Sequence, residues 1–341
     1  MSERKAHGVR RTKAHGVHAV GPNAQPAPHA ATLCDMATIG TVPGAVFITG
    51  ASTGIGKACV IELLKLGYHV YAGVHDQNNL ALINEIACPS LHPVIIDLTS
   101  QPSIDAAARQ IEDALGERPL VGLINNAGVV VSGPLEFLPL DDLRAQFEVN
   151  VFGHFAVIQA LAPQLRAARG RIINISSISG RFTAPFIGPY SASKFALEAL
   201  SDALRMEMRG SGVKVCLIEP GSIATPIWEK AIIAGDQRML RMPRHALDIY
   251  AERMLAFRAM AKETGERGAS PQLVFKAVHH ALTAAKPKAR YIVGRDARLA
   301  QLFLRPLPDR IKDKVILRNM NRYIRMRQNA RENRKRKREK G

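Results

Sequence analysis

The sequence contains no uninterrupted apolar run of about 18 residues, which excludes a membrane-spanning helix. Its N-terminus mixes Arg, Lys and His with no apolar stretch behind them, so it is not a secretory signal. Cysteine is sparse: Cys34, Cys59, Cys88 and Cys216 lack metal-ligand spacing and do not resemble a disulfide framework. That usage points to a reducing, cytoplasmic setting, and no metal site is expected. Apolar residues are plentiful, at 47% of a 341-residue chain. This excludes a wholly disordered protein and suffices for a large buried core.

Acidic residues are the other shortage. Asp and Glu number 29 against 47 Lys and Arg, a formal net charge of +18, which at first reading points to nucleic acid. The excess is unevenly placed. Residues 318–341 carry +9, residues 1–35 carry +3, and everything between only +6. A mildly basic body with a cationic tail makes nucleic acid an unlikely partner. The tail, residues 318–341, intersperses Met320, Tyr323, Ile324 and Met326 among its basic residues. Two readings stay open for it. One is a solvated, disordered extension. The other is peripheral contact with an anionic membrane surface, worth about 1 kcal/mol per basic residue.

Residues 1–40 read as a disordered leader, with Lys5-Ala6-His7-Gly8-Val9 repeated at Lys13-Ala14-His15-Gly16-Val17 and a Pro/Ala stretch from Pro22 to Pro28. Met36 directly precedes the patterned region and is an alternative start. Residues 41–317 read as one folded domain. Short apolar runs at Ala45–Thr49, His69–Val74, Val94–Asp97, Leu120–Ile124, Arg171–Ser176, Val213–Glu219 and Arg290–Val293 alternate with helical-period segments near 54–66, 78–86, 102–115, 141–167 and 189–209. That rhythm predicts an α/β fold: a doubly wound, about seven-stranded parallel sheet with its ligand site at the strands' carboxyl ends. Residues 226–285 interrupt it with helices and are expected to form a lid over the crevice.

The first strand runs into Thr49-Gly50-Ala51-Ser52-Thr53-Gly54-Ile55-Gly56, followed at once by a helix. Glycines there let the backbone turn tightly beside a pyrophosphate, whose charge suits a helix N-terminus. Asn125-Asn126-Ala127-Gly128 closes the fourth strand, Asn150 lies in Asn150-Val151-Phe152-Gly153, and Ser177 precedes Tyr190 by thirteen residues. Tyr190-Ser191-Ala192-Ser193-Lys194 and then Pro220-Gly221 with Thr225 complete the series. Over residues 45–295 this order resembles the short-chain dehydrogenase/reductase family, in the branch with T-G-x-x-x-G-x-G and Y-x-x-x-K.

Tyr190 and Lys194, four apart, share one helix face. A free tyrosine with a pKa near 10 is a poor base at neutral pH; a neighbouring ammonium is expected to favour phenolate, and an oxidised nicotinamide would add positive charge. Tyr190 then exchanges a proton with a carbonyl or alcohol oxygen that Ser177 hydrogen-bonds. The resemblance implies a Rossmann-type fold and an NAD(P) cofactor. It also implies that Lys194 grips the nicotinamide ribose and that Asn150 supports a water leading to solvent. It further assigns Gly50, Ser52, Thr53, Gly54, Ile55 and Gly56 to the pyrophosphate, and Asn126, Ala127 and Gly128 to the adenosine ribose. Asp97, with Leu98 beside it, falls at the adenine, and Pro220, Gly221, Ile223 and Thr225 at the nicotinamide. Asp76 lies twenty residues past Gly56, a spacing that would favour NAD; aligned with the family, apolar Val74 stands where NAD-users carry that acid and His75 where NADP-users often carry Arg, which favours NADP.

Ser179, Arg181, Phe182, Pro185, Phe186 and residues 227–256 are expected to line the substrate entrance, and their apolar mix favours an apolar alcohol or ketone. Two phrases, Val70-Tyr71-Ala72-Gly73-Val74 and Arg290 to Ala297, are similar to the steroid- and retinol-dehydrogenase side of the family. Helices 141–167 and 189–209 match those through which family members form dimers and tetramers. The rival reading is a non-catalytic dinucleotide sensor that reaches membrane or nucleic acid through its tail. Asn150, Ser177, Tyr190 and Lys194 occurring together speak against it.

Overall fold

The computed structural model describes residues 44–338, with side chains described to residue 329; the expected leader, residues 1–40, lies outside the described residues. In chain order the elements are β1 (Ala45–Thr49), α1 (Gly54–Lys65), β2 (His69–Val74), α2 (Gln77–Asn84), β3 (Leu91–Ile95), α3 (Gln101–Leu115), β4 (Leu120–Asn125), α4 (Leu140–Phe147), α5 (Gly153–Ala167) and β5 (Arg171–Ile175). Then follow α6 (Gly188–Glu207), β6 (Lys214–Pro220), α7 (Ile227–Arg241), α8 (Arg244–Arg267), α9 (Pro271–Thr283), β7 (Arg290–Val293), α10 (Arg295–Phe303) and α11 (Asp309–Arg338).

All seven strands are parallel, in the order β3-β2-β1-β4-β5-β6-β7. The chain works outward from β1 to β3, then returns to the other side of β1 as β4. The connections therefore diverge between β1 and β4, and a crevice opens at the carboxyl ends of those strands. Both faces of the sheet are covered, so its strands are apolar on both sides. One core layer packs Ile48, Val70 and Ile173 beneath α1 and α9. The other packs Phe47, Leu123 and Ile172 beneath α3 and α5.

Two elements differ from the sequence expectation. The third strand begins at Leu91 rather than Val94 and ends before Asp97. Its Pro93 cannot donate to a ladder, which an edge strand tolerates. The helix expected over 141–167 contains a π turn, Glu148–Phe152, between α4 and α5. Such turns are often found at functional sites.

Cysteine usage also differs. Cys59 and Cys216 are free and buried. Cys88, however, is disulfide-bonded, which the spacing did not announce and which removes the support that cysteine usage lent to a reducing compartment.

The start of the tail is not a solvated extension. It belongs to α11, which starts at Asp309 and lies against α8. Met320 is 2% exposed and joins Phe186, Met254 and Ala256 in a third apolar cluster. The Tyr323 hydroxyl bonds the Glu263 carboxylate and Gln328 bonds Glu252, so one helix face is pinned along α8. Met320→Glu is expected to place an unpaired charge in this seam. Hydrogen exchange should then show protection lost over residues 316–328 while the β1 and β4 amides keep theirs.

Candidate active site

The glycine loop is built by β1 and β4 together. Thr49 is fully buried, and its hydroxyl accepts the backbone N–H of Asn126 at 3.0 Å and of Ala127 at 3.1 Å. The Asn126 amide donates back to the Thr49 and Gly50 carbonyls at 3.0 and 2.9 Å. Its amide group therefore fastens the loop, and Asn126 meets the cleft from behind that staple. Gly50 has φ +64° and Gly56 packs against it; a Cβ on Gly56 would lie 2.2 Å from the Gly50 carbonyl oxygen. The Thr53 side chain makes no cap bond to α1. The helix thus presents uncapped N–H groups and its positive end to the cleft, which suits a phosphate.

At the centre stand Ser177, Tyr190 and Lys194. Ser177 follows β5 and caps a short turn, Ile178–Gly180, its Oγ accepting the Ser179 N–H at 3.1 Å. α6 brings Tyr190 to hydrogen-bonding range of the Ser177 side chain. Lys194 donates to the Ile175 carbonyl at 2.8 Å, with Nζ 5.9 Å from the centre of the Tyr190 ring. Burial lowers Lys194 to about 8, with Glu198 opposing the fall.

The protein's own groups do not by themselves give Tyr190 the drop expected from two adjacent cations. Desolvation inside the cleft raises it above the ordinary tyrosine value, against the lowering effect of the Ser177 hydrogen bond.

Asn150 lies behind this group in the π turn. Its Oδ1 accepts the Val129 N–H at 2.9 Å, and its amide donates to the Val129 carbonyl at 3.1 Å and Ser193 Oγ at 3.2 Å. One turn on, His154 holds the Ala127 carbonyl at 2.8 Å; burial, then the Lys194 charge, lowers it to about 3, so it is neutral. The sequence reading missed His154, whose only signal was a polar residue in an apolar helix stretch.

At the far end, His75 is 3.9 Å from Asp97. Asp97 Oδ1 accepts both the N–H and the hydroxyl of Thr99, bonds that hold the carboxyl below its ordinary value. Asp76 caps α2 by accepting from Asn79, whose Oδ1 in turn accepts from Ser52. Asn79 was not singled out from sequence. On the opposite wall, Ser222 donates to Asp296 at 2.7 Å, and a Cβ on Gly221 would lie 2.4 Å from the same carboxylate.

These pieces enclose a cleft of about 680 Å³. Its lining includes Gly50, Ser52, Thr53, Gly54, Ile55, His75, Asp97, Leu98, Asn126, Ala127, Gly128, Ser177, Tyr190, Lys194, Pro220, Gly221, Ile223 and Thr225. Gly56 and Asn150 support the wall without lining it. Ile227, Trp228 and Lys230 of α7 close one side, the Trp228 Nε1 donating to the Ile223 carbonyl at 3.1 Å. Arg181, expected at the substrate entrance, instead turns inward to pair with Glu219 at 2.7 Å, because the buried carboxylates of Glu219 on β6 and Glu198 on α6 need a cation. Among the described residues no group of three or more His, Cys, Asp or Glu is placed to hold a metal ion.

Residues 44–233 match the family model for short chain dehydrogenases. The chain is 36% identical over 278 residues to an NADPH-dependent 3-dehydrocapnine reductase of Ornithobacterium rhinotracheale, covering 80% of this chain and 96% of that one. It is 35% identical over 277 residues to mouse (Mus musculus) retinol dehydrogenase 5, covering 80% and 87%. A crystal structure of a short chain dehydrogenase from Burkholderia cenocepacia in complex with NADP superposes with a TM-score of 0.59 at 27% identity, covering 76% of this chain and 92% of that one. The chain belongs to the short-chain dehydrogenase/reductase family and is an NAD(P)-dependent oxidoreductase. The rival reading of a non-catalytic sensor therefore falls away.

Gly56→Ala tests the loop. The added methyl must displace the Gly50 carbonyl. Dinucleotide affinity measured by fluorescence titration is expected to fall at least tenfold, with a lowered Tm.

Proposed function

We propose that the protein interconverts an apolar alcohol with its ketone or aldehyde, with Tyr190 as acid/base. The observation that carries this reading is the convergence of Ser177, Tyr190 and Lys194 at one point of the cleft, beside the glycine loop and the helix N-terminus. The nicotinamide dinucleotide, when bound, supplies or accepts the hydride. Ser177 holds the substrate oxygen in line, and Tyr190 gives that oxygen its proton in the reducing direction. Lys194 holds the nicotinamide ribose and supplies positive charge near the phenol. Asn150 fixes the Val129 backbone and Ser193 behind Lys194, a position from which it can support a water path to solvent.

NADP is favoured over NAD. Val74 ends β2 with no carboxylate for a ribose 2′-hydroxyl, and Asp76 is committed to Asn79. His75, with a side chain 67% exposed, is the group available to a 2′-phosphate. An apolar substrate is supported by Val129, Val149, Ile227 and Trp228 along the cleft, and by a relative named for retinol, a lipid-soluble alcohol.

A homo-oligomer, dimer or tetramer, is supported by Phe152, Phe195 and Met206, which lie exposed along the π turn and α6. We further propose peripheral contact with an anionic membrane surface through α11. Met320 and Tyr323 are spent on α8, so that contact falls to the outward basic residues with Ile311 and Val315. Among the described residues no helix is long and apolar enough to cross a membrane.

A panel of apolar ketones and alcohols with NADPH and NADH, read at the reduced-nicotinamide absorbance, tests the reaction. Turnover with NADPH above NADH is expected, and absence of binding by both cofactors would overturn the reading. Tyr190→Phe is expected to lose about 10²–10⁴-fold in kcat while NADPH affinity stays within twofold. The wild-type rate of carbonyl reduction should hold to about pH 8 and fall above it as Lys194 loses its proton.

A further inference from the structure

Behind the reacting groups lies a buried ionic cluster that the chemistry above does not use. Tyr190, Lys194, Glu198 and Asp202 stand four residues apart on α6 and share one helix face. Glu198 is 5% exposed, and Glu219, near the end of β6, is 0% exposed. Two guanidinium groups join them. Arg181 reaches Glu219 at 2.7 Å and Glu198 at 3.3 Å. Arg290, at the start of β7, reaches Glu198 at 3.1 Å and Glu219 at 3.2 Å, and it also bonds Asp202. Arg181 lies four residues past Ser177, and Glu219 directly precedes Pro220. The cluster thus ties the loop of Ser177 and the helix of Tyr190 to the strand that ends at the proposed nicotinamide loop.

A buried carboxylate pair is costly unless it is compensated. Both arginines bind Glu198 through Oε2, and the Ser176 hydroxyl stands beside the same carboxyl as a hydrogen-bonding group. Lys194 lies one helical turn away on the same face. The groups facing Lys194 are Tyr190 and Glu198 on α6, the Ile175 carbonyl on β5 and neutral His154 on α5. Arg181, Glu219 and Arg290 face Glu198 from the loop after β5, from β6 and from β7.

We propose that Glu198, clamped by Arg181 and Arg290, is a positioning residue for Lys194, its carboxylate keeping the lysine an ammonium at the head of the cleft. The role rests on the assignment of Lys194 made above. Burial works against that ammonium, and Glu198 opposes the loss. The clamp also explains why Arg181 is drawn away from the substrate entrance. Without two guanidiniums, Glu198 would take up a proton, because burial and then Glu219 push its carboxyl upward. A protonated Glu198 would leave Lys194 without a counter-charge.

The test is an NMR titration of the cofactor-free protein labelled with 13Cε-lysine, the Lys194 signal being identified by its loss in Lys194→Arg. The wild-type midpoint is expected near pH 8. Glu198→Gln should move it down by about one unit, since the carboxylate that opposes the effect of burial on Lys194 is then gone. Glu198→Asp should restore most of the shift. Glu219→Gln breaks the same cluster but leaves the Glu198 charge, so it should leave the midpoint in place. The basic limb of the pH profile for ketone reduction should move with the NMR midpoint, while the KM for NADPH does not.

An unmoved Lys194 midpoint in Glu198→Gln overturns the proposal, as does an equal shift in Glu219→Gln. If Glu198→Gln does not fold by circular dichroism, Glu198→Gln combined with Arg290→Gln keeps the net charge and carries the same titration. The NMR readout needs no turnover. An inactive protein with the expected shift would count against the oxidoreductase chemistry alone, whereas an active one without it would count against Glu198 alone.

Discussion

Burial of the Lys194 ammonium is the constraint around which the active region is arranged. A desolvated cation in a protein interior needs compensation from fixed dipoles and charge. Here the Ile175 carbonyl supplies the first of these at 2.8 Å, which requires β5 to end where it does and α6 to approach within one side-chain length. The neighbouring imidazole of His154 is neutral and adds no repulsion. The same burial pushes Tyr190 above the ordinary tyrosine value. A phenol and a lysine, each moved by desolvation from its ordinary value, thus stand side by side in the cleft.

Much of the scaffold was legible because its physics is local. Ala45–Thr49, His69–Val74 and Arg290–Val293 are strands with the boundaries expected from their apolar runs, and the glycine loop falls between a strand and a helix as its residue types require. What escaped the sequence reading was non-local. Arg181 looks like an entrance residue until β6 and β7 place Glu219 and Arg290 beside it. The Tyr190 value moved upward rather than downward because desolvation depends on the whole wall of the cleft and not on the residue four places along. The π turn at Glu148–Phe152 leaves no mark in hydrophobic periodicity, since the segment reads as one continuous amphipathic helix. The third strand shifted because Pro93 weakens a pattern that its edge position tolerates.

The two ends of the cleft are held by different means. Around the glycine loop, backbone and amide groups do the fixing: Thr49 and Asn126 lace β1 to β4 through four hydrogen bonds. Around Ser177, ionic contacts do it, through Arg181 and Arg290. Neutral hydrogen bonds vary little with pH, whereas the ionic side depends on protonation. The glycine loop is accordingly fastened by bonds that vary little with pH, and the loop of Ser177 by groups whose charge depends on it.

The docking of α11 on α8 has a practical consequence. α8 packs on α7, and α7 supplies Ile227, Trp228 and Lys230 to the cleft wall. The C-terminal helix is therefore a buttress for the roof over the substrate. Removing α11 would therefore bare the apolar side of α8 that Met320 covers and leave the wall that carries Trp228 without the support behind it.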